Sequence, residues 1–79
     1  MPKLTLYHFE SCPYCVIVRK FMAENNISIP MKDTQKDHRA QAELIKIGGK
    51  RQVPCLVIDG KALYESDDII AWLKNHYKK

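Results

Sequence analysis

The sequence predicts an α/β fold: a four-stranded mixed sheet with helices on both faces, in the order β-α-β-α-β-β-α. Three observations point to it. Strand-like and helix-like hydrophobic periods alternate twice in the first half of the chain. A hairpin signal, Asp59-Gly60, follows the third strand-like run. With 79 residues, the chain has room for one domain, residues 1–79, and no separate regulatory module.

Lys3 to Phe9 reads as the first strand. Leu4 and Leu6 share one face and Thr5, Tyr7 and Phe9 the other, so both faces carry bulk, as in a strand covered on both sides. Glu10-Ser11 breaks the pattern, and Pro13 suits the first position of a helix. Cys15, Val18, Phe21 and Met22 make an apolar stripe at helical spacing, with Arg19, Lys20 and Glu24 on the outer face. Asn25-Asn26 ends this helix. Ile27 to Met31 is short and apolar and reads as a second strand; Pro30, which has no N–H, puts it at an edge. Lys32 to Lys36 reads as a polar loop.

Asp37 caps a second helix in which Ala40, Leu44 and Ile47 recur on one face, and Gly48-Gly49 ends it. Cys55 to Ile58 is a run of strand formers, and Lys61 to Tyr64 returns after the turn. Ser66 is the expected cap of the last helix. Asp67 and Asp68 sit in its first turn, where the helix dipole favours negative charge. Ile69, Trp72, Leu73 and His76 form its apolar face, and Lys74, Lys78 and Lys79 lie toward its negative end.

Composition excludes several function classes. Hydrophobic residues are 46% and charged residues 28%, the balance of a folded domain rather than a disordered chain. The net charge of +4 is split evenly between the two halves. There is no basic arm to grip nucleic acid or a membrane surface. No window reaches the roughly 18 apolar residues of a membrane span, and Met1 to His8 is too short and mixed for an export signal. The expectation is a cytoplasmic monomer. There, an odd and sparse set of cysteines (Cys12, Cys15, Cys55) is not a disulfide framework.

The chemistry gathers at Cys12-Pro13-Tyr14-Cys15. A C-x-x-C at a helix start holds two thiols within reach, with one exposed and one facing the core. The unpaired amides and dipole of that helix end favour a thiolate over a thiol. The thiolate is the attacking species in disulfide exchange. Cys12 is therefore the expected nucleophile and Cys15 the resolving thiol. The competing reading, half of a zinc site, lacks a second pair; only Cys55, His8, His38 and His76 remain, and no metal is expected. Cys55 is either an inert strand cysteine or a third redox thiol. His8 ends the first strand beside the site, while His38 and His76 read as structural or exposed. Lys20, Lys50 and Arg51 offer a basic rim.

These residues resemble the dithiol glutaredoxins of CPYC type. The likeness runs through Cys12-Pro13-Tyr14-Cys15, Val53-Pro54 and the Ser66-Asp67-Asp68 helix start, and covers essentially the whole chain. Arg51-Gln52-Val53-Pro54 and Glu65-Ser66-Asp67-Asp68-Ile69 are also similar to the N-terminal half of glutathione-transferase-like glutaredoxins. The resemblance implies a thioredoxin fold, a cis Val53-Pro54 bond and glutathione as reductant. It implies that the Val53 backbone pairs with the glutathione cysteine. Ser66 at a helix start would receive the γ-glutamyl carboxylate, and Asp67 its ammonium. Tyr14 would line the groove, and Arg51 or Gln52 would take the glycine carboxylate. Two positions depart from the pattern: Phe9 stands where many glutaredoxins carry a lysine, and Tyr64-Glu65 replaces a common Gly-Gly. Glu65 suits the transferase-like variant, in which Glu-Ser contacts the γ-glutamyl end.

The implied activity is glutathione-dependent thiol–disulfide exchange on glutathionylated or disulfide-bonded proteins. Two alternatives stand beside it. One is a dimeric [2Fe–2S] carrier in which two Cys12 thiolates and two glutathiones hold the cluster. The other is reduction by a flavoenzyme of the thioredoxin-reductase type.

Overall fold

In the computed structural model, which describes residues 3–77, seven elements follow the predicted order. They are β1 (Leu4–His8), α1 (Pro13–Glu24), β2 (Met31–Asp33), α2 (His38–Gly48), β3 (Cys55–Ile58), β4 (Lys61–Leu63) and α3 (Ser66–His76). The strands lie in the order β2-β1-β3-β4. β1 runs parallel to β2 and antiparallel to β3, and β3 pairs antiparallel with β4, so the sheet is mixed.

The alternation in β1 sorts the core into two layers. Leu4 and Leu6 pack with Leu56 of β3, Val18 and Met22 of α1 and Ile69 and Leu73 of α3. Tyr7, Cys55 and Val57 pack on the opposite face against Ala40 and Leu44 of α2. Burial of this kind is worth about 1.5–3 kcal/mol for each large apolar side chain. Asp59 (φ 50°) and Gly60 (φ 86°) both adopt positive φ, the signature of a type I′ hairpin turn. Gly49 (φ 81°) closes α2 in the left-handed conformation.

Four expectations need correction. The second strand is Met31–Asp33, not Ile27 to Met31, and it takes in residues expected to form a loop. The Pro30 carbonyl accepts from the Leu6 amide (2.9 Å), and pairing continues until Thr34 N–H reaches the His8 carbonyl (2.8 Å). Polar Lys32 and Asp33 are tolerated because β2 is an edge strand; Ile29 instead plugs the core from the connector. At α3 the cap position is Glu65, whose carbonyl already accepts from Ile69 N–H (3.0 Å), and Ser66 is the first helical residue. His76 and Ile47 are exposed rather than buried. Trp72 is half-buried and stacks on the His76 ring, centroids 4.8 Å apart. The expectations for Lys78 and Lys79 lie outside the described residues.

Candidate active site

β1 ends at His8 and delivers the chain into a short loop whose closing bond runs from the Cys12 amide to the Phe9 carbonyl (3.2 Å). Pro13 then opens α1, with Cys12 at the cap position. No side chain caps α1, and none caps α3. In α2, by contrast, the Asp37 carboxylate accepts from the Arg39 amide (2.9 Å). Two helix ends thus keep N–H groups that no side chain has claimed.

Cys12 is close enough to Cys15 to oppose its ionisation, and all three cysteines are free. Cys15 is fully buried, whereas Cys12 retains 7% exposure. The opening is narrower than the sequence led us to expect, but it belongs to the predicted nucleophile alone. Burial pushes the Cys15 thiol up to about 12, against a pull downward from the Phe9 backbone amide and from Arg19. Burial likewise pushes Cys55 up to about 11. Cys55 is buried in the α2-side core with Tyr7 and Leu44.

Of the ten sequence-predicted site residues, seven line one groove of about 390 Å³: Tyr14, Gln52, Val53, Pro54, Glu65, Ser66 and Asp67. The Val53-Pro54 bond is cis, as the resemblance implied. Ser66 is buried and Asp67 exposed at the uncapped start of α3. Gln52 Nε2 donates to Glu65 Oε1 (3.0 Å), which fixes the direction of that carboxylate. Glu65 itself sits at φ 69°, a region that a non-glycine residue enters only at a cost of about 1–3 kcal/mol. Arg51 lies outside this groove. It lines an adjoining one of about 450 Å³ with Phe9, Thr34, Gln35, His38, Gln41 and Leu44, and Val53 is shared by both. Cys12 lines neither groove, and its neighbour Tyr14, 62% exposed, stands on the rim of the first.

The sequence reading missed His38, Gln35 and Gln41. They reach the second groove only because the connector after β2 and the Asp37 cap aim the head of α2 at it, which periodicity does not encode. Of the three expected rim cations, only Arg51 lines a groove. Lys50 Nζ lies over the Tyr64 ring (4.6 Å) and Lys20 is exposed on α1. Arg19 was placed on the outer face of α1. It is in fact half-buried, its Nη2 donates to the Glu10 carbonyl (3.2 Å), and its Nε is buried without a partner. His8 is buried, with Nδ1 unpartnered. Burial and the nearby Arg19 charge hold its pKa below the usual 6.5. Among the described residues, no three His, Cys, Asp or Glu side chains cluster as a metal would require, and no helix is long and apolar enough to cross a membrane.

The fold is that of a thioredoxin-like domain, and the chain belongs to the family described as glutathione S-transferase, N-terminal domain, which matches residues 6–79. Prostaglandin E synthase 2 of Danio rerio is 33% identical over 75 residues, covering 94% of this chain and 19% of that protein. The chain thus spans about a fifth of that relative's length. Glutaredoxin 3 of Escherichia coli strain K12 is 27% identical over 71 residues, covering 90% of this chain and 86% of that one. A solved thioredoxin-like protein superposes with a TM-score of 0.76 at 30% identity, covering 90% of this chain and 99% of that chain. The protein is accordingly glutaredoxin-like, and its relatives tie the fold to glutathione-related redox chemistry.

Proposed function

We propose that the protein is a glutathione-dependent thiol–disulfide oxidoreductase acting through Cys12 and Cys15, in the cytoplasm and as a monomer. One observation carries the reading. A C-x-x-C pair at an uncapped helix start carries Tyr14 into a groove lined by Glu65 and Asp67, and that groove adjoins, through Val53, a second one lined by Arg51. Glutathione has matching polarity. Its γ-glutamyl ammonium suits Asp67, and the adjacent α-carboxylate suits the open amides at Ser66. Its glycine carboxylate suits Arg51, with His38 nearby and Phe9 supplying an apolar wall where relatives of CPYC type carry a lysine. Gln52 is committed to Glu65, which favours Arg51 over Gln52 for the glycine end.

Cys12 thiolate attacks the glutathione sulfur of a protein–glutathione mixed disulfide. The Cys12–glutathione bond forms, and the protein sulfur leaves with the electron pair. A second glutathione thiolate then attacks the bound glutathione sulfur, releasing glutathione disulfide and Cys12 thiolate. Substrates with two thiols are released instead by Cys15, which attacks Cys12. Turnover of a glutathionylated protein, coupled to glutathione and its reductase, tests this. Cys12→Ser abolishes turnover, and Cys15→Ser retains it. Undiminished turnover by Cys12→Ser, or turnover with a thioredoxin-reductase system alone, contradicts the proposal.

A further inference from the structure

Arg19 is a half-buried cation whose charge reaches the Glu10 carboxylate only at a distance. It takes part in none of the ion pairs among the described residues. The carboxylate of Glu10, whose carbonyl Arg19 holds, is occupied elsewhere: it pairs with Lys36 (2.8 Å). A buried guanidinium nitrogen without a partner is costly, of the order of 1–3 kcal/mol. Such a group points to an anion that forms transiently.

One candidate anion is within a helical turn. Cys15 and Arg19 are spaced i, i+4 on α1, so their side chains are neighbours on one face. The bond from Nη2 to the Glu10 carbonyl folds the Arg19 side chain back toward the start of the helix, where Cys15 lies. Cys15 is the thiol that must ionise inside the protein when it resolves a mixed disulfide on Cys12. His8, buried and with Nδ1 unpartnered, lies close enough to Arg19 to feel its charge. The charged groups that face His8 come from three sides: Arg19 of α1, Asp33 of β2, and Glu10 and Lys36 of the flanking loops. Burial and Arg19 disfavour the charged form of that imidazole, against the pull of Asp33 and Glu10.

We infer that Arg19 is a positioning residue for the resolving step, its guanidinium holding the counter-charge for the Cys15 thiolate as that thiol attacks Cys12. The inference deepens the proposed redox reading and rests on it. The step balances without a further reagent. Cys15 Sγ attacks Cys12 Sγ, the Cys12–Cys15 bond forms, and the bond from Cys12 to the bound thiol breaks. The electron pair leaves with that thiol, and the proton lost by Cys15 ends on it.

A small aromatic disulfide that releases a coloured thiolate separates the two cysteines without glutathione. The first colour release reports attack by Cys12, and the second reports attack by Cys15 on the mixed disulfide. In Arg19→Met the second phase at neutral pH slows about tenfold, the change in thiolate fraction that one unit of thiol pKa produces. Its pH profile moves to higher pH, and Arg19→Lys restores most of the rate. A second phase in Arg19→Met within about twofold of the parent overturns the inference. So does an equal slowing of both phases, or a failure of lysine to rescue. Failure of the glutathione reading itself would appear elsewhere, as a parent protein with both colour phases intact but no turnover of a glutathionylated substrate.

Discussion

At the residue scale, the site distinguishes two thiols of identical chemistry by their burial. Cys12 keeps a small opening and Cys15 none, and Cys15 is held as a thiol by desolvation. His8 shows the same physics with the opposite sign of charge. A buried imidazole beside Arg19 resists protonation, so its folded pKa lies below 6.5. Below that value the unfolded chain binds the proton more readily than the folded one, and stability falls as pH drops. Urea midpoints compared at about pH 7.5 and about pH 5.5 therefore decline in the parent. They decline less in His8→Asn, which keeps a neutral polar side chain there. Equal declines in the two proteins would show that His8 is not the buried group responsible.

At the scale of elements, the start of α3 concentrates the constraints of the groove. Two other positive-φ residues, Asn26 and Asp59, are of types that tolerate the left-handed region. Glu65 is not, and it is the N-cap of the helix that would receive the γ-glutamyl end. Glu65→Gly relieves the backbone and should raise stability by about 1 kcal/mol. It also removes the carboxylate that Gln52 holds, and glutathione affinity should fall several-fold. Denaturant melts and a glutathione titration by calorimetry check both halves. A variant that loses stability and binds glutathione as the parent does would separate the strained backbone from the site. The sequence displayed Glu65-Ser66-Asp67 plainly, yet it pointed to the wrong cap. The hydroxyl of Ser66 looks like a cap by residue type, whereas the position is set by which carbonyl Ile69 reaches.

For the molecule as a whole, the elements converge at one end of the sheet. The chain leaves the carboxyl end of β1 into the loop that carries Cys12, and Val53-Pro54 before β3 and the start of α3 line one groove. In α/β sheets, ligands gather outside the carboxyl ends of strands for this reason. The architecture was legible because it is written in local signals: alternation in β1, the Cys15-Val18-Met22 stripe, Gly49, and Asp59-Gly60. The first groove was legible from the motif and the resemblance together. What escaped depends on contacts between segments distant in sequence. β2 moved because hydrogen bonds to β1, not its own apolarity, define it. His38 entered a groove because a loop aimed it there. Arg19 turned inward because the Glu10 carbonyl captured it.

The central claim is that Cys12, and not another thiol, takes glutathione from a disulfide. The direct measurement is mass spectrometry of Cys15→Ser after exposure to glutathione disulfide, with peptide mapping of the product. We predict a single glutathione on Cys12, removed again by excess reduced glutathione, with Cys55 unmodified. A protein that acquires no adduct, or carries it on Cys55, would contradict the account.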